Sequence, residues 1–186
     1  MGQVMPPPKA RLICGILAID EVALGRAVDA LAAMFGHIEQ AGPIWPFSAT
    51  DYYADEMGDH LLRRFVSFAG DFSQERLPAV KRATNELESR LCAELGRPPQ
   101  RRPVNLDPGY IELSRLVLAT TKDHGHRIYL GEGIYAEVTL RYFRRRWTAW
   151  PWTYPDYAAS TYHEFFDTVR RGLKRAQGEQ VGHAST

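Results

Sequence analysis

RLICGILAIDEVALGRAVDALAAMFG, residues 11–36, passes from an unbroken apolar run into an amphipathic one across a single acidic residue. The run 11–19 carries no polar alternation after Arg11, which is the pattern of a buried strand. Asp20 follows it, and its carboxylate can accept one of the orphan N–H groups at a helix start. From there Leu24, Ala27, Val28, Leu31 and Phe35 recur at helical spacing, and Gly36 ends the segment, so the spacing predicts a helix over 21–35 with one face on a sheet.

Working outward, 38–48 reads as a strand interrupted by Gly42, Pro43 and Pro46. A second strand is predicted over 61–68, with Leu62, Phe65 and Phe68 as inward residues. Ser73 is placed to cap a helix over 74–95, whose stripe is Leu77, Val80, Leu87, Leu91 and Leu95 and whose stop is Gly96. A proline-rich link, 97–103, leads to a strand over 104–107. Strand, helix, strand, strand, helix, strand is the order of two split βαβ units. The expected class is α+β, with a ferredoxin-like βαββαβ core in which an antiparallel sheet carries both helices on one face. Leu113, Leu116, Val117 and Thr120 favour a helix over 111–121. Segments 127–130 and 134–143 read as a hairpin about Gly131-Glu132-Gly133. In its second arm Tyr135, Glu137, Thr139 and Arg141 are expected on one face, and Ile134, Ala136, Val138, Leu140 and Tyr142 on the other. Residues 147–150 can add a strand. Thr161-x-x-Glu164 is a capping box for a last helix over 162–176, on Phe165, Phe166, Val169 and Leu173. Residues 1–10 and 177–186 are expected to be a disordered lead and tail around a single domain, 11–176.

The chain of 186 residues, 45% hydrophobic, 24% charged and of net charge +1, is long enough to bury a core without disulfides or metals. Near-neutral charge gives no overall push toward nucleic acid. Cys14 and Cys92 stand apart, as small buried hydrophobes of a reducing compartment do, so a prokaryotic cytoplasm is the expected location. The apolar run 12–19 is too short to span a membrane. No P-loop, G-x-G-x-x-G, G-x-S-x-G or H-E-x-x-H string occurs, and no zinc-like Cys/His spacing.

Four segments can carry chemistry. Thr50-Asp51-Tyr52-Tyr53, followed by Glu56-Met57-Gly58, offers phenols and acids in a loop. In Asn105-Leu106-Asp107-Pro108-Gly109-Tyr110, Asn105 and Asp107 share a strand face just before what reads as a Pro-Gly turn. Thr120-Thr121-Lys122-Asp123-His124-Gly125-His126-Arg127 supplies Lys122, His126 and Arg127 for phosphate or carboxylate, and His126 as a proton carrier. Pro151-Trp152-Thr153-Tyr154-Pro155-Asp156-Tyr157 is a stiff aromatic segment able to wall a pocket. If the segments meet, Asp51, Asp107, Glu137 and Asp156 form an acidic group with Arg64, Lys122 and His126 as its cations. Asp107, His126, Lys122 and Glu137 are then the candidates for acid–base work, and Asp107 with Glu137 for a divalent cation such as Mg²⁺. Asp51, Tyr53, Arg64, Asn105, Tyr110, Arg127, Trp152, Tyr154 and Asp156 are the candidate ligand contacts. The expected ligand is a small anion, a nucleotide or another phosphate ester. The alternatives are single-stranded RNA, with Arg97, Arg101, Arg102, Arg144, Arg145 and Arg146 as the basic residues, and a protein-interaction module.

Taken together, Thr50-Asp51-Tyr52-Tyr53-x-x-Glu56-Met57-Gly58, Asn105-Leu106-Asp107-Pro108-Gly109-Tyr110, Thr121-Lys122-Asp123, His126-Arg127-Ile128-Tyr129-Leu130-Gly131 and Pro151-Trp152-Thr153-Tyr154-Pro155-Asp156-Tyr157 resemble the prokaryotic family called domain of unknown function 4416. The resemblance spans residues 9–173. It brings no established activity; some members carry a GTP-binding label, which the lack of a P-loop here does not support. It implies that these motifs mark a common site. Arg144-Arg145-Arg146 departs from the milder hairpin turn that the resemblance implies.

Overall fold

The computed structural model describes residues 2–47 and 53–183. The elements run β1 (Arg11–Ala18), α1 (Glu21–Phe35), β2 (Ile38–Ala41), β3 (Trp45–Phe47), α2 (Ala54–Met57), β4 (Leu61–Phe68), α3 (Leu77–Glu94), β5 (Val104–Ile111), β6 (Arg115–Thr120), β7 (Ile128–Gly131), β8 (Ile134–Phe143), β9 (Arg146–Ala149), α4 (Pro155–Ala158) and α5 (Ser160–His183). Among the described residues this is a mixed fold of five helices and one nine-stranded antiparallel sheet, ordered β2-β4-β1-β5-β6-β8-β7, with β3 on β4 and β9 on β8. No helix among them is long and apolar enough to cross a membrane.

Every residue of β1 is buried because both sheet faces are covered. On one, Leu12, Cys14 and Ile16 of β1 meet Leu24, Ala27 and Leu31 of α1 and Leu77, Val80 and Leu87 of α3. On the other, Ile13 and Phe65 meet Tyr157, Tyr162, Phe165, Phe166 and Val169 of α4 and α5. The cap at Asp20 forms, with Oδ1 accepting from the Ala23 N–H at 2.8 Å, an interaction worth about 1 kcal/mol. Cys14 and Cys92 are both buried and unpaired.

Several local expectations give way to packing. Gly42-Pro43 splits the predicted strand 38–48 into β2 and β3. Ser73 caps nothing: a 3₁₀ turn (Gln74–Arg76) intervenes, and α3 starts at Leu77 with Pro78 in its first turn, where a missing N–H costs no hydrogen bond. Leu62 and Phe68 lie on the α1 side of β4 whereas Phe65 lies on the α5 side, as a period of two requires. Asp107-Pro108-Gly109 is not a turn; β5 runs straight through it. The 111–121 segment is largely strand β6, whose four central residues are buried; burial on both faces erases the alternation that distinguishes strand from helix. In β8 the pairing shifts between Val138 and Leu140, leaving Thr139 as a bulge. Ile134, Ala136 and Val138 therefore pack on the α3 side while Leu140 and Tyr142 join the α5 side with Glu137. The last helix begins at Ser160 and continues to His183, past the predicted end at 176.

Candidate functional site

β5 and β6 are paired only at Gly109, Tyr110 and Ile111. Gly109 permits that contact, since a Cβ there would lie 2.2 Å from the Val117 carbonyl oxygen. Pro108 has no N–H to offer, and on its side of Gly109 the two strands part. Two side chains of α3 take over the backbone groups of Leu106 at the fork. Its N–H donates to Glu88 Oε1 at 2.6 Å, and its carbonyl accepts from Lys81 Nζ at 2.8 Å.

The fork opens into a cleft of two chambers. The larger, about 270 Å³, is lined by Phe47, Tyr53, Tyr154 and Tyr157 with Arg63, Asp107, Lys122, His124, Arg127 and Asp156. The smaller, about 130 Å³, is lined by Lys81, Asn85, Arg102, Asn105, Thr120, Thr121 and Glu137. Tyr53, Asp107, Lys122 and Tyr154 belong to both.

The floor of the larger chamber is Arg63, 2% exposed. Its guanidinium forks between Asp107 Oδ2 at 3.2 Å and Asp156 Oδ2 at 2.6 Å. Phe47, Phe65 and Tyr157 surround it, their ring centres 5.3, 5.4 and 5.6 Å from Cζ. The approach across β1 is possible only at Gly15, where a Cβ would lie 2.6 Å from the Tyr157 hydroxyl, 3.0 Å from Phe65 and 3.2 Å from Arg63 Nη1. Asn105 and Asp107 do share a face, and the Asn105 amide donates to Asp107 Oδ1 at 2.9 Å.

The wall is organised by Glu137, 1% exposed. It accepts from Arg127 Nε at 3.0 Å and from Thr139 Oγ1 at 3.1 Å, and His126 Nε2 lies 3.1 Å away. Arg127 also donates to the Lys122 carbonyl and to the Tyr154 hydroxyl, each at 2.9 Å. The phenols of Tyr53, Tyr154 and Tyr157 are all pushed above the usual tyrosine value, first by burial and, for Tyr53 and Tyr157, next by the Asp107 carboxylate. At physiological pH they are neutral hydroxyl donors.

Of the residues singled out by sequence, Tyr53, Asn105, Asp107, Lys122, Arg127, Glu137, Tyr154 and Asp156 line this cleft. His126 stands behind it on Glu137, and Trp152 stacks on His126 with ring centres 5.1 Å apart. Asp51 lies outside the described residues. Two residues fall elsewhere. Arg64, paired with Ile16 on the α1 side of β4, donates to the Gly42 carbonyl. Tyr110, opposite Leu12, packs on Phe72 on the α1/α3 side. Asp107 and Glu137, the candidate ligands for a divalent cation, are ion-paired to Arg63 and Arg127 respectively. Among the described residues no three His, Cys, Asp or Glu side chains are placed to hold a metal.

Sequence reasoning passed over Arg63, Lys81 and Glu88. The signal for Arg63 was its spacing of two from Phe65, which puts it on the strand face that carries Phe65. For Lys81 and Glu88 it was two charges seven residues apart within the apolar stripe of a helix, where a solvated charge is out of place.

No curated protein and no solved structure matches the chain. With the family's model matching residues 8–172 of 186, the chain belongs to the family described as Domain of unknown function (DUF4416).

Proposed function

We propose that the cleft binds a small anionic ligand carrying a planar ring, a nucleotide or another phosphate ester. The larger chamber suits the ring, with four aromatic side chains around it and neutral phenols for edge contacts. The smaller chamber suits the oxyanion. The observation that carries this reading is Lys81, 7% exposed, which makes no ion pair among the described residues and spends one of its three N–H donors on the Leu106 carbonyl. A buried ammonium with donors to spare is stabilised by an oxyanion brought to it. Around this site we read β2-β4-β1-β5 with α1 and α3 as a ferredoxin-like core carrying an added β6–β9 sheet, in a cytoplasmic prokaryotic protein.

A thermal-shift screen of nucleotides and sugar phosphates at millimolar concentration, with and without Mg²⁺, tests the proposal. A ligand at a hundred times its Kd stabilises by about 2.7 kcal/mol, a rise of several degrees for a domain of this size. Lys81→Met is expected to lose most of that rise while remaining folded. A panel without shifts, or a variant that responds like the wild type, counts against it.

A further inference from the structure

Between Glu137 and Asp156 the chain holds no acidic residue, four arginines and six aromatics. The structure gathers much of this stretch into one surface track. His124 stacks on His126 (5.8 Å, 10° between planes), His126 on Trp152 (5.1 Å, 14°) and Trp152 on Trp150 (5.3 Å, 4°). The Arg141 guanidinium lies 4.6 Å from the centre of Trp150 and 5.1 Å from that of Phe143, which Arg144 meets from 5.3 Å. The Trp152 indole N–H and the Thr153 hydroxyl fasten the track to the edge of β8, on the carbonyls of Val138 and Thr139. Phe143 and Trp152 are exposed, at 49% and 36%.

Two facts separate this track from an ordinary solvated surface. Several cations elsewhere on the surface are paired, as in Lys9–Asp71, Arg82–Glu132, Arg90–Glu94 and Arg115–Glu112, while others such as Arg26, Arg76 and Lys174 stand singly. Arg141, Arg144, Arg145 and Arg146 make no ion pair among the described residues. Arg144 and Arg145 also form the two-residue β8–β9 turn with φ of 49° and 64°, as a type I′ turn requires. That geometry favours Asn-Gly and costs a side-chain-bearing residue about 1 kcal/mol or more. With two arginines held there against backbone preference and without an acidic partner, Arg144, Arg145 and Arg146 are exposed beside exposed planar rings, and half-buried Arg141 packs between Trp150 and Phe143.

We propose that this track is a binding surface for single-stranded nucleic acid, its arginines meeting phosphates and its exposed rings meeting unpaired bases. Rings and guanidinium planes that stack on bases, flanked by phosphate-binding cations, are what sequence-tolerant recognition of a single strand uses. A duplex, whose bases are stacked on one another, leaves the rings without partners.

The test is fluorescence anisotropy with a labelled 12-nucleotide U-rich RNA at low salt, with single-stranded DNA, the matching RNA duplex and inorganic polyphosphate as further arms. Binding of a single strand, RNA or DNA, with quenching of tryptophan fluorescence and clear preference over duplex and polyphosphate, is expected. The triple variant R144N/R145G/R146T, whose turn is the one the geometry favours, is expected to melt no lower than the wild type, to bind at least tenfold more weakly and to lose about 2 from the log–log salt slope, at roughly 0.7 per contact. Trp152→Leu is expected to weaken binding about tenfold and to lessen the quenching. No single-strand binding at low salt, undiminished binding by both variants, or polyphosphate bound as tightly as RNA without quenching would overturn the proposal.

Discussion

At Arg63 one step of strand register separates a buried cation from a half-buried one on the opposite face. Arg64, its neighbour, faces away and serves the Gly42 carbonyl, whereas Arg63 ties β4 to β5 through Asp107 and to α4 through Asp156. Two carboxylates and one guanidinium in a space walled by Phe47, Phe65 and Tyr157 are held together by mutual compensation, so removing the cation exposes the cost of burying the anions. Arg63→Met keeps most of the volume and is expected to destabilise the fold by about 3–5 kcal/mol in urea unfolding. Adding Asp156→Asn is expected to recover part of the loss, because one unpaired charge is gone. A single variant within about 1 kcal/mol of the wild type would contradict this account of the site's floor.

The fork between β5 and β6 is the element that turns a sheet into a container. It exists because Pro108 offers no N–H and because α3 caps the Leu106 backbone with Glu88 and Lys81 in place of a strand. Burial pushes the Glu88 carboxyl above its ordinary value, with Lys81 opposing. A carboxyl raised in the folded state contributes stability that is fully present below its unfolded value of 4.5 and is lost as pH rises through the folded value. Glu88→Gln, which retains an acceptor for the Leu106 N–H, removes that loss. Its stability relative to the wild type is therefore expected to improve between pH 4 and pH 7 in urea unfolding; a relative decline over that range would reverse the assigned sign. The elements around this fork were legible wherever one face alone is buried, as in α1 with its cap at Asp20. They were misread where both faces are buried, as in β6, and where a bulge changes the face in mid-strand, as at Thr139 in β8. Asp107-Pro108-Gly109 misled for a related reason. Proline and glycine together read locally as a turn, whereas here the proline ends a ladder and the glycine admits the Val117 backbone, a reason that lies in another strand. The cleft itself was legible as four motif strings, but its floor was not, since the Arg63–Asp156 contact joins residues 93 positions apart.

On the scale of the whole molecule, the sheet divides two cores that have different relations to the cleft. The core under α1 and α3 contains Leu31, fully buried and not part of the cleft lining. The core under α5 contains Phe166, also fully buried, whose ring lies nearly parallel to that of Tyr157 at 6.0 Å. Tyr157 in turn lines the larger chamber and flanks Arg63. Truncating either residue removes comparable packing, so Leu31→Ala is expected to cost about 2–5 kcal/mol and Phe166→Ala about 3–5 kcal/mol. Their effects on the chamber should differ. A cavity behind Tyr157 lets its ring and the Arg63 guanidinium shift, whereas a cavity under α1 is separated from them by β1, whose residues on that side face the opposite core. Phe166→Ala is therefore expected to weaken binding of whichever screened phosphate ester stabilises the wild type, by tenfold or more, while Leu31→Ala leaves the affinity of the folded fraction within about twofold. Calorimetric titration well below each variant's melting temperature separates the two effects. Equal losses of affinity would show that the faces are coupled through the sheet, and the α5 core would then have no particular hold on the site.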